Sequence, residues 1–249
     1  MVYQKQDVYH DLRRRIIEEE LNPGAPLVER DVSATYKVSR TPVREALRRL
    51  VADGLVVLDR GRGYSVRRMT IEDIIEIFVA REAVEATISS LATAHMDASL
   101  RDALLRLRDQ LRDVDVQQDP GAAVNLGRQL HDLLATTADN GVLFDFYQKL
   151  RDVTMLTRNV SKRSADVEVA SREDHLRIIE AVLCGRRDDA ERYMRLHLRG
   201  TCERLVAAYL QRRTATLSLV SSDPVELPAE AEICSCGKTT MSSVKSSVL

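Results

Sequence analysis

The spacing of apolar residues predicts three helices near the start of the chain. The first pattern repeats every four residues and stops at the helix-breaking run Asn22-Pro23-Gly24. A shorter pattern over residues 29–36 is separated by a two-residue turn from a third pattern over residues 39–50. The apolar members are Val8, Leu12 and Ile16, then Val32 and Tyr36, then Val43, Ala46, Leu47 and Leu50. Because so short a turn is typical of a helix-turn-helix, we expect the second and third helices to form one.

Two short strands are predicted directly after the third helix. Gly54 follows Asp53 and tolerates the positive φ that commonly ends a helix. The β-type run 55–58 and the alternating run 64–66 flank the turn Arg60-Gly61-Arg62-Gly63. Three helices and a two-stranded wing predict a winged helix-turn-helix over residues 1–69, with the wing tip rich in arginine.

From residue 70 onward the apolar positions follow a helical period, with almost no strand signal. Thr70, with Asp73 three residues later, is typical of a helix start. Breaks at Pro, Gly and Asn divide the region into six predicted helices: 71–95, 98–116, 121–138, 142–163, 166–184 and 187–213. The fold class is therefore mainly α, with an all-helical bundle over residues 70–213. Residues 214–249 are rich in Ser and lack periodicity, so we expect a disordered tail.

Positive charge is concentrated in the predicted head. The whole chain has a formal net charge of −1, but residues 30–68 carry ten Lys or Arg against four Asp or Glu. In the helix over residues 39–50, the arginines Arg40, Arg44 and Arg48 lie opposite the apolar stripe. A short helix with arginines and a Thr near its start suits insertion into a DNA major groove. A local patch of this kind is enough to neutralise DNA phosphates.

Composition excludes several other classes of protein. No apolar run approaches the ~18 residues of a membrane span, and the polar start of the chain does not resemble a signal peptide. Four scattered Cys residues are too few for a disulfide framework. We therefore expect a cytoplasmic, reduced protein with no membrane partner.

The head resembles the GntR family of bacterial transcription regulators. The resemblance rests on the runs 27–32, 38–47, 53–55 and 60–63. It implies that Arg40 and Arg44 contact guanine edges, that Arg30, Ser39 and Thr41 hold phosphates, and that Arg49 neutralises the DNA backbone. It also implies that the wing tip, Gly61, Arg62 and Gly63, enters the minor groove. The partner is then double-stranded DNA with a palindromic operator, bound by a homodimer.

The bundle resembles the FCD effector domain of the FadR subfamily. The resemblance rests on the runs 81–85, 130–134, 139–140, 173–175 and 197–198. Many members bind a divalent metal through one Asp and three His, and His131, His175 and His197 match the three His. Gly127 stands where the family has its Asp, so we expect Zn²⁺ or Ni²⁺ rather than a hard metal. The alternative is three core histidines that hydrogen-bond one another and water.

The resemblance also implies a small carboxylate effector beside the three histidines. Arg81 is the predicted effector-binding residue, and its alternative role is a salt bridge with Glu85, four residues later on the same helix. The leading hypothesis is a ligand-responsive repressor that is not an enzyme. Two alternatives remain open: a metal-free regulator that responds to an acyl-CoA, and a metal-dependent hydrolase or lyase that would use Glu173 or Asp174 as a base.

Overall fold

The computed structural model describes residues 5–18, 20–161 and 165–220. Within that part, three helices and three short strands form an N-terminal head, and six helices form a C-terminal bundle. The head contains α1 (Lys5–Ile17), β1 (Pro26–Leu27), α2 (Glu29–Tyr36), α3 (Arg40–Ala52), β2 (Val56–Asp59) and β3 (Gly63–Val66). The bundle contains α4 (Ile71–Ala94), α5 (Ala98–Asp113), α6 (Pro120–Thr137), α7 (Gly141–Ser161), α8 (Ala165–Leu183) and α9 (Arg187–Val220). The predicted winged helix-turn-helix followed by six helices is confirmed.

The head is built around the apolar stripes that the sequence showed. Leu12, Ile16, Leu47 and Leu50 are almost completely buried in one cluster between α1 and α3. The sheet has the order β1-β3-β2, and both pairings are antiparallel. The strand β1 was missed because two residues cannot show an alternating pattern; it pairs Leu27 with Tyr64 and ties the start of α2 to the wing.

The bundle is organised around α4, which packs along α9 and also contacts α6 and α7. Thr70 and Asp73 form the expected capping box at its start. The core is aliphatic, and Ile74, Leu104 and Leu134 are fully buried. Across the part of the chain described, no helix combines the length and apolarity that crossing a membrane requires.

Two predicted helix ends were wrong. Helix α5 ends at Asp113 rather than at 116, because the Asp115 carboxylate accepts the backbone N–H groups of Gln117 and Gln118 and forms a turn. Helix α9 continues to Val220, so residues 214–220 are helical rather than disordered. Neither Pro nor Gly occurs between 213 and 220, and nothing there breaks the helix. The rest of the predicted tail, 221–249, lies outside the described residues, as do 162–163 of the fourth predicted bundle helix.

One bundle helix, α7, joins the two domains. Leu156 is 2% exposed and belongs to the hydrophobic core of the head, with Val153 packed against the same core. The Asp152 carboxylate accepts a hydrogen bond from Arg13 Nε of α1 at 3.1 Å. Apolar packing and an ion pair therefore attach the head to α7.

Candidate DNA-binding surface and candidate metal centre

The start of α3 is presented to solvent by the turn that precedes it. Lys37 adopts a left-handed conformation with φ of 55°, and the N–H of Val38 bonds back to Ser33 in α2. Ser39 is the N-cap residue of α3, although its side chain makes no capping hydrogen bond. Because Val43, Leu47 and Leu50 are buried, the opposite side of α3 is exposed, and it carries Ser39, Arg40, Thr41, Arg44 and Arg48.

Arg44 is held by an acidic residue from the neighbouring helix. Its Nε–H donates to both carboxylate oxygens of Glu29, at 2.9 and 2.8 Å. The Arg44 side chain is 55% exposed and that of Glu29 is 25% exposed. Arg30, on the same helix as Glu29, is 77% exposed, and its Nε lies 3.1 Å from Oδ1 of its neighbour Asp31. Sequence reasoning missed Glu29, because nothing in its spacing from Arg44 reveals the contact.

Arg49 does not share the face of Arg40 and Arg44. Five residues beyond Arg44 correspond to about 140° of rotation around the helix. The Arg49 guanidinium carbon lies 3.9 Å from the centre of the Tyr9 ring in α1. Arg49 is nevertheless exposed, so its predicted role in neutralising the DNA backbone stays a prediction, and its cation–π contact with Tyr9 separates it from the base-reading face.

The wing tip has the predicted turn. Gly61 and Gly63 have φ values of 101° and 80°, in the region that favours glycine. The N–H of Arg62 closes the turn on the Asp59 carbonyl at 3.2 Å. The Arg62 side chain is 90% exposed, and its nearest carboxylate, that of Asp59, is 4.0 Å away. A projecting arginine between two glycines can approach a groove without a steric barrier.

The three predicted histidines meet in the interior of the bundle. His131 comes from α6, His175 from α8 and His197 from α9, and each is at most 7% exposed. Each offers a ligand atom, and these atoms all lie within 4.8 Å of one another. The Nε2 atoms of His131 and His175 are 3.2 Å apart. Two nitrogens that each lie ~2.1 Å from one tetrahedral or octahedral ion would be separated by about 3.0–3.4 Å.

Glu85 of α4 is a buried carboxylate beside this cluster that sequence reasoning did not place there. It is 2% exposed, and its Oε2 lies 2.5 Å from His131 Nδ1. Burial opposes ionisation, but the charges of Arg81 and His131 outweigh it and lower the pKa of Glu85 to about 2. A carboxylate on Nδ1 leaves His131 Nε2 facing the cluster, which is how outer carboxylates commonly orient metal-binding histidines.

Arg81 adopts the alternative role that the sequence left open. Its Nε donates to Glu85 Oε1 at 2.6 Å, and its side chain is 11% exposed. Arg81 still lines a cavity beside the histidines, together with Arg128 and Arg151. Arg151 donates to Asp132 at 2.9 Å, whereas no carboxylate partner of Arg128 occurs among the described residues. Of the three lining arginines, Arg128 is therefore the one for which the described part of the chain provides no carboxylate partner.

His175 occupies the space that a side chain at Gly127 would need. A Cβ placed on Gly127 would lie 2.4 Å from His175 Cε1 and 3.0 Å from its Nδ1. Gly127 therefore has a steric role as well: because it has no side chain, the His175 ring can occupy this space.

His197 provides the clearest sign of an unfilled bonding requirement. Its Nδ1 atom is buried and has no hydrogen-bond partner among the residues that the structure describes, and the Asp174 carboxylate is 3.7 Å away. Burial lowers the pKa of His197 to about 4, so the imidazole is neutral at neutral pH. Three mutually facing imidazoles, one of them neutral and incompletely bonded, fit a borderline metal such as Zn²⁺ or Ni²⁺.

Comparison with known proteins matches both parts of the chain to known families. The model of the bacterial regulatory proteins of the gntR family matches residues 4–66, and the FCD domain model matches residues 76–200. The chain is 28% identical over 198 residues to the HTH-type transcriptional repressor RspR of Escherichia coli K12, covering 80% of this chain and 87% of that protein. It is 26% identical over 201 residues to the HTH-type regulator YdhC of Bacillus subtilis 168, covering 79% and 88%.

A solved structure shows the same architecture. The GntR regulator from Rhodococcus sp. RHA1 matches with a TM-score of 0.68 and 27% identity, over 82% of this chain and 98% of that one. These matches are to transcriptional regulators rather than to enzymes, as expected. The matched models, the winged head and the helical bundle together establish that the chain belongs to the GntR family of bacterial regulatory proteins and carries an FCD domain, a combination consistent with the FadR subfamily.

Proposed function

We propose that the protein is a ligand-responsive transcriptional repressor that binds a palindromic operator as a homodimer. The observation that carries the proposal is a buried three-histidine cluster beside an arginine-lined cavity, in a bundle attached to a DNA-binding head. Two recognition helices in a dimer address two half-sites, so the operator repeats the symmetry of the protein. The names of two relatives support the sign of regulation, since RspR and GlaR of Escherichia coli are repressors.

The effector in this proposal is a small carboxylate, bound with a divalent metal. His131, His175 and His197 would hold Zn²⁺ or Ni²⁺, and the metal supplies a Lewis-acidic position for a carboxylate oxygen. Glu85 fixes the His131 ring, and Arg128, which has no carboxylate partner among the described residues, offers a positive charge to the effector's carboxylate. Arg81 contributes mainly by neutralising Glu85.

In a thermal-shift screen of small carboxylic acids, with and without Zn²⁺, we expect an acid to raise Tm above the value with Zn²⁺ alone, and to have no effect when the metal is absent. An acid at a hundredfold excess over its Kd adds ~2.7 kcal/mol of stability, or about 5 °C or more for a chain of this size. His175→Ala should abolish the shift, and His95→Ala, which changes an exposed histidine outside the cluster, should leave it intact. A shift produced by an acyl-CoA alone would favour the metal-free alternative.

Two adjacent residues of α7, Arg151 and Asp152, connect the lining of the cavity to the head. Arg151 lines the cavity, and its Nε lies 3.6 Å from Asp152 Oδ1. Asp152 in turn accepts the hydrogen bond from Arg13 of the head. Asp152 thus contacts two arginines: Arg151, which an anion in the cavity would attract, and Arg13 of the head. An effector that draws Arg151 away would leave Asp152 to Arg13 alone, which changes the attachment of the head.

We expect Arg151→Gln, which removes the same charge from Asp152, to change operator affinity by about fivefold or more although Arg151 lies in the bundle. In the Asp152→Asn background, the same substitution should have no further effect, because the shared carboxylate is gone. Operator Kd values from fluorescence anisotropy give the cycle directly. Lys149→Gln is the matched control, since Lys149 is exposed on the same helix. Purely additive effects would contradict this route.

A further inference from the structure

The contact between Glu29 and Arg44 places an acidic residue in a recognition surface that is otherwise basic. We infer that Glu29 is a positioning residue for base recognition: it holds the Arg44 guanidinium by one edge, so that the other edge faces a guanine. The inference rests on the proposed DNA-binding function and assigns a specific role to an acidic residue that no basic patch would include.

The hydrogen bonds of Arg44 leave the guanine-binding atoms available. Both contacts to Glu29 use the Nε–H. No hydrogen bond from Arg44 Nη1 or Nη2 occurs within the described part of the chain. A guanidinium has five N–H groups, and a pair of Nη donors matches the O6 and N7 acceptors of guanine. Glu29 therefore occupies the one donor group that this bidentate contact does not need.

The contact contributes little to stability, so its value lies in orientation. Arg44 is 55% exposed, and ion pairs between exposed side chains contribute ~0–1 kcal/mol. An arginine fixed before binding loses less rotamer freedom when it meets a base. Glu29 is the first residue of α2, whose start is tied to the wing by the pairing of Leu27 with Tyr64. The carboxylate is thus attached to the framework of the head rather than to a loop end.

Arg40 provides an internal contrast. It lies one helical turn before Arg44 on the same exposed face, and no ion pair of Arg40 occurs among the described residues. Glu29 therefore does not serve as a general counter-charge for this basic face. Its effect on sequence preference should be confined to the base pair that Arg44 contacts, once in each half-site.

The test is selection of random DNA duplexes by the full-length protein, compared between wild type and Glu29→Gln. We expect the variant to lose about fivefold or more of the preference at one guanine per half-site and to keep it at the other positions. That position should be the one whose preference disappears in Arg44→Ala, and the Glu29→Gln/Arg44→Ala double variant should lose nothing more. Asp31→Asn, which removes an exposed acid two residues later on α2, should preserve every preference.

The outcomes separate this inference from the proposal on which it rests. A variant with the wild-type preference at every position would overturn the positioning role. So would tighter binding with an unchanged preference, because Glu29 would then only screen Arg44. If the wild-type protein enriches no sequence at all, the proposed DNA-binding function fails, and the inference fails with it.

Discussion

Arg44→Ala is expected to abolish specific operator binding while the protein stays folded. Arg44 is exposed on the face of α3 opposite the buried stripe, and its Nη groups are available for a base edge. A bidentate arginine–guanine contact contributes ~1–3 kcal/mol of discrimination, so its loss in both half-sites would cost about 2–6 kcal/mol. Gel-shift or anisotropy titration against the selected operator and a scrambled duplex measures the loss. Circular dichroism should be unchanged, since only a surface ion pair is removed.

Arg49→Ala is the matched control for this prediction. It removes another exposed arginine from the same helix, but Arg49 lies about 140° around the helix from Arg44, with its guanidinium over the Tyr9 ring. We expect a small loss of stability and an unchanged sequence preference. Equal loss of specificity in both variants would mean that the face carrying Arg44 is not the recognition surface. If Arg44→Ala binds the operator with wild-type affinity, Arg44 does not make the proposed contact with a base.

The sequence was sufficient to predict most of the head, because its elements are encoded locally. The stripe of Val43, Leu47 and Leu50 sets which side of α3 is buried, and the glycines at 61 and 63 set the wing turn. It could not show contacts that join residues far apart in the chain. The cation–π contact of Arg49 is one of these, because its partner Tyr9 lies 40 residues earlier on another helix.

The candidate metal centre was also predictable only in part. The resemblance identified the three histidines, and the structure brings their ligand atoms within 4.8 Å. Sequence reasoning paired Glu85 with Arg81 through their spacing on one helix, but the contact with His131 spans 46 residues and depends on how α4 packs against α6. Periodicity shows that a residue faces the interior, and only packing shows which residue it meets there.

The structure changes the interpretation of Gly127. In the sequence analysis, Gly127 stands where the family has an Asp ligand, which suggests that Gly127→Asp would complete the metal site. In the structure, the His175 ring fills the space beside the Gly127 Cα, and a Cβ would lie 2.4 Å from His175 Cε1. His175 is 5% exposed, so its ring has little room in which to move. The glycine and the histidine position therefore depend on each other.

Gly127→Asp is consequently expected to weaken the site rather than repair it. Forcing a side chain into this contact should lower the free energy of unfolding by about 1–3 kcal/mol. It should also lower Zn²⁺ affinity by about tenfold or more, because a displaced His175 loses the aligned geometry on which such sites depend. Urea unfolding measures the first effect, and competition with a zinc chelator measures the second. Gly141→Asp is the control, since nothing lies within 4 Å of a Cβ at Gly141.

The double variant Gly127→Asp/His175→Ala distinguishes steric conflict from a simple loss of helix stability. Removal of the His175 ring empties the space that the new side chain needs, so the double variant should recover stability relative to Gly127→Asp alone. Additive destabilisation would point to the helix instead. Tighter Zn²⁺ binding by Gly127→Asp at wild-type stability would contradict the steric argument, because His175 would then have yielded to form a four-ligand site.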